Sequence, residues 1–582
     1  MFFVTVLFCL TFNLSAQNRQ KIVPVDSEIY QAIKSLYIAQ GLALPSTTGP
    51  WSEHELLLML NRLDQSKLKH NEQRIYDVVY DELTTDNPAF KFSGELNLEM
   101  HGHSNTEYFV LPDDFVRPIN TAAPFFALQS ETWILPSTYS FFELQAANTV
   151  YNTTVSTKDG RGPYAGSTFF GAASFASNLV FIPPATLNDF SMNFPYRAFV
   201  AVGGNGWNVQ VGRDRLSWGP GVTGNFMVGD HIQYHNTARA SVYRDNLKYT
   251  FNISAFQSPF EYFDREQTVW NIARNSRGGG TDGYNLFIAH RVEWRTLKNT
   301  LNIALTEGLI YQTEDSFAPE VFNPVFFMHN LSRRKTTNSL ITVEADFSPI
   351  PLLNIYGQLA VDEFAAPNEQ GETTYPSALA YMLGVQTAFP VWNGMFSASF
   401  EWALTDPYLY LRYYGDSGQQ RGTVGLTYVV ANRYVTNDLE ERYVEEFLGY
   451  RYGGDAIVFN ARGGYNRIGV WNIQANLMVL IHGTHDKWTT WQEVYAQNST
   501  NTPRDLSAST TSHDTENHAD EAVALRTAAS VLTALSLSGS WNFWKNLSVY
   551  GYTDLAFVAH KDNIYGRSTA DIQFGFGLQY SF

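Results

Sequence analysis

From residue 90 onward the connections in this chain alternate in length, short then long, and few folds obey such a rule. "LPST" (135–138), "GGNG" (203–206), "RDN" (244–246), "RTLKN" (295–299), "SPIPL" (348–352), "PVWNG" (390–394), "NR" (466–467) and "NFWKN" (542–546) read as tight turns. Long stretches fall between them, near 102–123, 152–195, 214–236, 258–283, 312–338, 363–378, 405–455, 484–523 and 561–569. The segments they join have a period of two. In "KFSGELNLEM", Phe92, Gly94, Leu96, Leu98 and Met100 take one side, and Lys91, Ser93, Glu95, Asn97 and Glu99 the other. The last segment, "DIQFGFGLQYSF", sets Ile572, Phe574, Phe576, Leu578, Tyr580 and Phe582 against Asp571, Gln573, Gly575, Gly577, Gln579 and Ser581. Successive side chains of a strand point to opposite faces, so each segment reads as a strand with one apolar and one polar face.

Eight turns and nine loops join about 18 strands, the even number expected of a bacterial outer-membrane barrel. A soluble all-β chain has no reason to keep every second connection short, and a propeller or β-helix would show a fixed repeat, which is absent. Charged residues make up only 16% of the chain, against roughly 25% in soluble domains. Beyond the first residues no run of 18 or more apolar residues occurs, so a membrane could be crossed only by a closed barrel. The expected fold is therefore an all-β transmembrane barrel of about 18 antiparallel strands over residues 90–582, in the outer membrane. Apolar faces would meet the membrane lipids and polar faces the lumen. Both chain ends of the barrel segment would lie on the periplasmic side, next to the helical head, and the terminal aromatic strand is of the kind read by the barrel-assembly machinery. The formal net charge of −17 excludes nucleic acid as a partner, which needs a basic footprint.

Residues 1–16 read as a secretory signal peptide, apolar from Phe2 to Leu14 with Ser15-Ala16 as the cleavage point, although no Lys or Arg precedes the run. Cys9 is the only cysteine. Cleavage after Ala16 would remove it and leave no disulfide or Cys-based metal site. Residues 17–89 read as a small periplasmic helical domain. Ile29, Ile33, Leu36 and Tyr37 share a helical face, with Asp26 or Ser27 as cap and Gly41 as stop. Ser52 caps a second helix with Glu55 at the capping-box position, and "LKHNEQRIYDVVYDEL" forms a third. Such a domain serves equally as a plug-like cap or as a docking module outside the barrel.

The most distinctive stretch is "VQVGRDRLSWGPGVTGNFMVGD" (209–230). Arg213 and Arg215 lie two apart, so they are expected to share a face, with Asp214 on the other. In a lumen they could brace the wall against opposing carboxylates or hold an anionic ligand, and the brace is favoured. Trp218 could stack on a sugar ring, but the Gly-Pro-Gly after it favours a loop anchor; Asn225 follows. "TDPYLYLRYYGDSGQQR" (405–421) sets Tyr408, Tyr410, Tyr413 and Tyr414 beside Asp406, Arg412 and Asp416. Aromatic faces with polar neighbours suit carbohydrate, and tyrosines at loop bases equally suit an interfacial girdle. Tentative ligand-binding residues are thus Arg213, Asp214, Arg215, Trp218, Asn225, Tyr408, Tyr410 and Arg412.

The GRDR strand end running into WGPG resembles the Wzi capsule-assembly family, as do the head "LYIAQGLALPSTTGPWSEHEL" and the late "FLGYRYGGDA" (447–456). The resemblance implies a small periplasmic helical bundle before an 18-stranded barrel. It also implies a lectin-like partner for exported surface polysaccharide or another glycan, with the pore occluded. The alternative from barrel size alone is a porin or substrate-specific uptake channel. No G-x-S-x-G, H-E-x-x-H or Walker loop occurs, so no enzyme activity and no cofactor is expected. His482, His485, His513 and His518 lie in a Ser/Thr/Asn-rich loop that reads as solvated rather than as a metal site, as does the basic "RRK" at 333–335.

Overall fold

A computed structural model describes residues 19–109, 123–148, 174–178, 190–232, 234–256, 284–313, 319–323, 337–363, 378–411, 428–435, 441–484, 487 and 528–582. The signal segment with Cys9, Arg412, Tyr413, Tyr414, Asp416, residues 333–335, His485, His513 and His518 lie outside the described residues.

Three helices come first: α1 (Glu28–Gln40), α2 (Glu53–Leu60) and α3 (His70–Thr84). Ser27 caps α1, its Oγ accepting from the Ile29 N–H at 3.2 Å, and Gly41 ends it in the left-handed region. Ser52 Oγ accepts from the Glu55 N–H at 3.2 Å. The expected capping box is only half made, because the Glu55 carboxylate turns to Lys248 at 2.6 Å. Ile33, Leu36, Tyr37, Leu56, Leu60 and Val79 form one buried cluster, which continues onto Ala388 and Met395 of the barrel.

Eighteen long antiparallel strands then close into a barrel. In chain order they are β1 (Phe90–His103), β2 (Phe126–Leu135), β3 (Thr138–Asn148), β4 (Phe190–Gly204), β5 (Trp207–Asp214) and β6 (His235–Tyr243). Next come β7 (Leu247–Phe256), β8 (Tyr284–Thr296), β9 (Leu301–Thr313), β10 (Thr337–Ile350), β11 (Leu353–Glu363) and β12 (Ala378–Val391). The last six are β13 (Gly394–Thr405), β14 (Ala456–Arg467), β15 (Trp471–His482), β16 (Ser530–Trp544), β17 (Leu547–Ala559) and β18 (Ser568–Ser581). β18 pairs with β1 and closes the ring. The short connections fall where the sequence placed them, except that the β14–β15 turn spans residues 468–470 rather than 466–467; of the strands after long connections, β4 begins early, at Phe190 rather than near 195, and β16 late, at Ser530 rather than near 523.

Each strand is two-faced. In β10, Thr342, Glu344, Asp346 and Ser348 are buried inside, while Val343 and Phe347 are exposed outside. In β18, Ile572, Phe574 and Phe576 are 53%, 50% and 58% exposed, whereas Asp571 and Gln573 between them are buried. An apolar exterior on a closed ring removes every sheet edge and fits a hydrocarbon surround. The molecule is a bacterial outer-membrane barrel.

The helices sit on the short-turn mouth. The Leu352 N–H donates to Ile38 O at 2.8 Å and the Ala43 N–H to Asn299 O at 2.8 Å. Arg62 reaches Arg244 O at 3.0 Å, and Arg74 reaches Asn393 at 2.9 Å. The Gly469 N–H donates to Glu28 at 3.4 Å, so the head touches at least five of the short turns directly, as a cap would.

Candidate functional site within an occupied lumen

Two pieces of chain occupy the lumen and meet there. The first is the linker from α1 to α2, residues 42–52. Its backbone is held by inward side chains of consecutive strands. The Leu44 N–H donates to Asp346 Oδ1 at 2.6 Å. Arg295 donates to Ala43 O at 2.9 Å and to Leu44 O. Lys248 Nζ donates to Ser46 Oγ, Thr48 O and Glu55 Oε1 at 3.0, 2.8 and 2.6 Å. The Thr48 hydroxyl donates to Glu293, and Arg239 donates to Pro50 O. Arg291 is the hub: it bonds both Glu344 oxygens, Glu293 and the hydroxyls of Thr306 and Thr47. Charges taken from water need partners of this kind, because an unpaired one costs several kcal/mol. Burial also raises the Glu55 carboxyl above its ordinary value, and the Lys248 ammonium pulls it back.

The second piece is the β5–β6 connection, residues 215–234, which folds inward. Ser217–Trp218 pairs antiparallel with Thr48–Gly49 of the head, and the Gly219 N–H donates to Thr47 O at 3.0 Å. Gly219 has φ +130, and a Cβ there would lie 2.2 Å from Asn225 Oδ1, so only glycine fits. Asn225 Oδ1 accepts from the Gly221 N–H at 2.9 Å and from Gln358 at 2.6 Å. Glu401 accepts from the N–H groups of Val222 and Thr223 at 2.7 and 2.9 Å, from the Thr223 hydroxyl, and from Tyr356 at 2.7 Å. Beyond this turn Phe226, Met227 and Val228 pack against the inward faces of Leu340, Tyr356, Ala360, Ala380, Met382 and Ala403. The barrel's inner face is therefore charged where it meets the head linker and the 219–225 turn, and apolar where it meets Phe226–Val228.

The structure distributes the sequence-derived candidates as follows. The expectation that Arg213 and Arg215 share a face opposite Asp214 is corrected in part: Arg213 and Asp214 do take opposite faces, but Arg215 lies past the strand end and the inward charge is Asp214, not the arginines. Asn208, Gln210 and Asp214 face inward on β5, whereas Trp207, Val209 and Val211 are exposed outside. Asp214 is the inward charge: it accepts from Arg197 at 2.7 and 2.8 Å and from Gln210 at 2.6 Å. Arg213 lies 4.0 Å over the Tyr234 ring and donates to Asn236 at 3.1 Å. Arg215 lies past the strand end, pairing with Asp26 of the head at 3.1 Å and donating to Asp230 O at 2.8 Å. Trp218 is buried in the core of the inward loop. Tyr408 and Tyr410 are buried too. The Tyr410 hydroxyl donates to Phe226 O at 2.7 Å and accepts from the Tyr450 N–H at 2.8 Å. The sequence reading missed Arg291, Lys248, Glu293 and Asp346. The signal was present in "HRVEWRT", where Arg291, Glu293 and Arg295 alternate with the outward Val292 and Trp294.

A cavity of about 510 Å³ remains in the lumen. It is bounded by Tyr30, Lys34 and Ser35 of α1, by Gly219–Val222 of the inward loop, and by the β12–β15 wall down to Ile468 in the short β14–β15 turn. Burial and the nearby Arg462 guanidinium hold the Lys34 ammonium down to about 8.

The fold and this lumen define an outer-membrane β-barrel whose interior is occupied by segments of its own chain. Among solved structures the protein is similar to Wzi of Escherichia coli, an outer-membrane protein involved in group 1 capsule assembly and described as a carbohydrate-binding β-barrel. The TM-score is 0.53 at 12% identity, over 96% of this chain and 99% of that one. The outer-membrane channel DcaP of Acinetobacter baumannii aligns at TM-score 0.33 and 7% identity, over 85% of this chain and 97% of its own. OccK3 of Pseudomonas aeruginosa aligns at 0.37 and 10%, over 85% and 95%. No family model matches the sequence, and no curated protein does.

Proposed function

We propose that the protein is a Wzi-like barrel that binds or organises exported surface polysaccharide at the outer membrane, acting by binding rather than by catalysis. The observation that carries this reading is the strand pairing of Thr48–Gly49 with Ser217–Trp218 inside the lumen. A channel needs an open path, and here the head linker and the β5–β6 loop are stitched together across it. The similarity to Wzi along nearly the whole of both chains supports the reading. In it, Asp214, Trp218, Asn225 and Tyr410 hold the closed interior, and the long connections face the glycan.

Two measurements test the proposal together. Deleting the gene should release cell-surface glycan into the medium, and purified protein should retain that glycan in a pull-down. In planar bilayers the protein should show no stable open current. Unchanged surface glycan combined with steady conductance would overturn the reading in favour of an uptake channel.

A further inference from the structure

On the β6–β10 side of the lumen every inward cation among the described strand residues has a matched acceptor: Arg291 has Glu344 and Glu293, Lys248 has Glu55, and Arg295 and Arg239 have backbone carbonyls. The opposite side differs. Lys34 projects from α1 into the 510 Å³ cavity and makes no hydrogen bond or ion pair among the described residues. Arg462, on the β14 wall of the same cavity, faces the Gln474 side chain, whose amide oxygen, when turned toward it, accepts from Nε and Nη2 at 2.7 Å each, and no described carboxylate lies within ion-pair distance. The third cation on the lining, Arg215, is already held by Asp26. Two like charges supplied by different elements thus face one space, and each disfavours the other.

The rest of the lining tells what kind of anion fits. Ser35, Ser397, Ser399, Gln386 and Asn472 offer hydroxyls and amides, which can both donate and accept. Tyr30 and Trp51, stacked at 3.8 Å, add an aromatic surface. A volume of 510 Å³ is within the roughly 300–1,000 Å³ of small-molecule sites. Asp26 and Gln31 on the lining are exposed, and the cavity reaches a periplasmic turn, so entry is from the periplasmic side.

We propose that this cavity takes a short acidic oligosaccharide from the periplasmic side, with Lys34 and Arg462 holding a sugar carboxylate between them. The sugar part rests on the polysaccharide reading; the charge part rests on the two cations alone. A guanidinium and an ammonium converging on one carboxylate make charge-assisted hydrogen bonds, which are stronger than neutral ones.

The test is calorimetric titration of the full-length purified barrel with a galacturonate trimer, with maltotriose and with inorganic phosphate. The trimer should bind and maltotriose should not, and 0.5 M salt should weaken the trimer. Lys34→Gln and Arg462→Gln should each weaken it by roughly tenfold or more, at an unchanged thermal midpoint. Lys34→Arg should restore most of the affinity, and Lys67→Gln, on the exposed side of the head, should change nothing. Equal affinity in wild type and Lys34→Gln, or no binding of the trimer, would overturn the proposal. Binding of phosphate but not of the trimer would overturn its saccharide half. Surface glycan retained by a strain carrying Lys34→Gln would leave the wider function standing while this site fails.

Discussion

Phe582 and Gly94 exchange two backbone hydrogen bonds, each 2.9 Å, across the β18–β1 seam, and the Phe582 ring lies against Gly94. A Cβ on Gly94 would meet that ring at 2.5 Å. Gly94→Leu should therefore displace the ring and loosen the last pairing of the barrel. The expected outcome is less heat-resistant, fast-migrating protein on gels and a lower outer-membrane level. Phe582→Ala in the same background should relieve part of the defect by removing the clash.

Arg291 offers a test of the charged wall. Arg291→Met leaves Glu344 and Glu293 buried without their partner, a change of about 3–5 kcal/mol. Thermal melting by circular dichroism in detergent should fall clearly. Adding Glu344→Leu to the same variant should recover part of the loss, because one stranded carboxylate is then gone.

Asp214 and its two arginine neighbours should separate cleanly. Asp214→Ala removes the acceptor of the largely buried Arg197 and should lower the melting temperature strongly. Arg213→Ala with Arg215→Ala should lower it only slightly, since the Arg215–Asp26 pair is part-exposed and such pairs are worth about 0–1 kcal/mol. A larger loss from the arginine pair than from Asp214→Ala would contradict this assignment.

Burial pushes the Glu53 carboxyl up from 4.5 to about 8, against the pull of Lys21. The folded state then binds a proton that the unfolded state has lost, so stability declines as pH rises from about 4.5 to about 8 and levels off above. Glu53→Gln should flatten that slope and raise the melting temperature at pH 8 relative to wild type, as read from melts between pH 5 and 9.

Replacing residues 219–227 by a short Gly/Ser link removes the turn held by Glu401 and the apolar residues behind it. Ion current through planar bilayers should then appear where wild type shows none. A silent variant would mean that the head linker alone closes the path.

Much of the wall was legible because lipid outside and a filled lumen inside impose one pattern on every strand. The same physics made Ser27 and Gly41 readable as helix ends, since caps act within a few residues. The site was read less well, for two different reasons. Val209 and Val211 have the same parity as Arg213 and are plainly apolar, so the outward direction of Arg213 could have been found by counting back along the strand. The meeting of Thr48–Gly49 with Ser217–Trp218 could not. It joins stretches about 170 residues apart through backbone hydrogen bonds, which carry no side-chain signature. Likewise Lys34 and Arg462 become neighbours of one cavity only once the barrel is closed.

The head linker lies inside a ring made of the chain that follows it, and a ring cannot be entered from the side once shut. Its partners Arg239, Lys248, Arg291, Glu293, Arg295 and Asp346 belong to β6–β10, well away from the seam where β18 joins β1. A half-cylinder of those strands can cradle the linker while the seam still gapes. The linker's anchors are thus complete on one half of the cylinder, and that half and the head form one unit whatever the state of the seam.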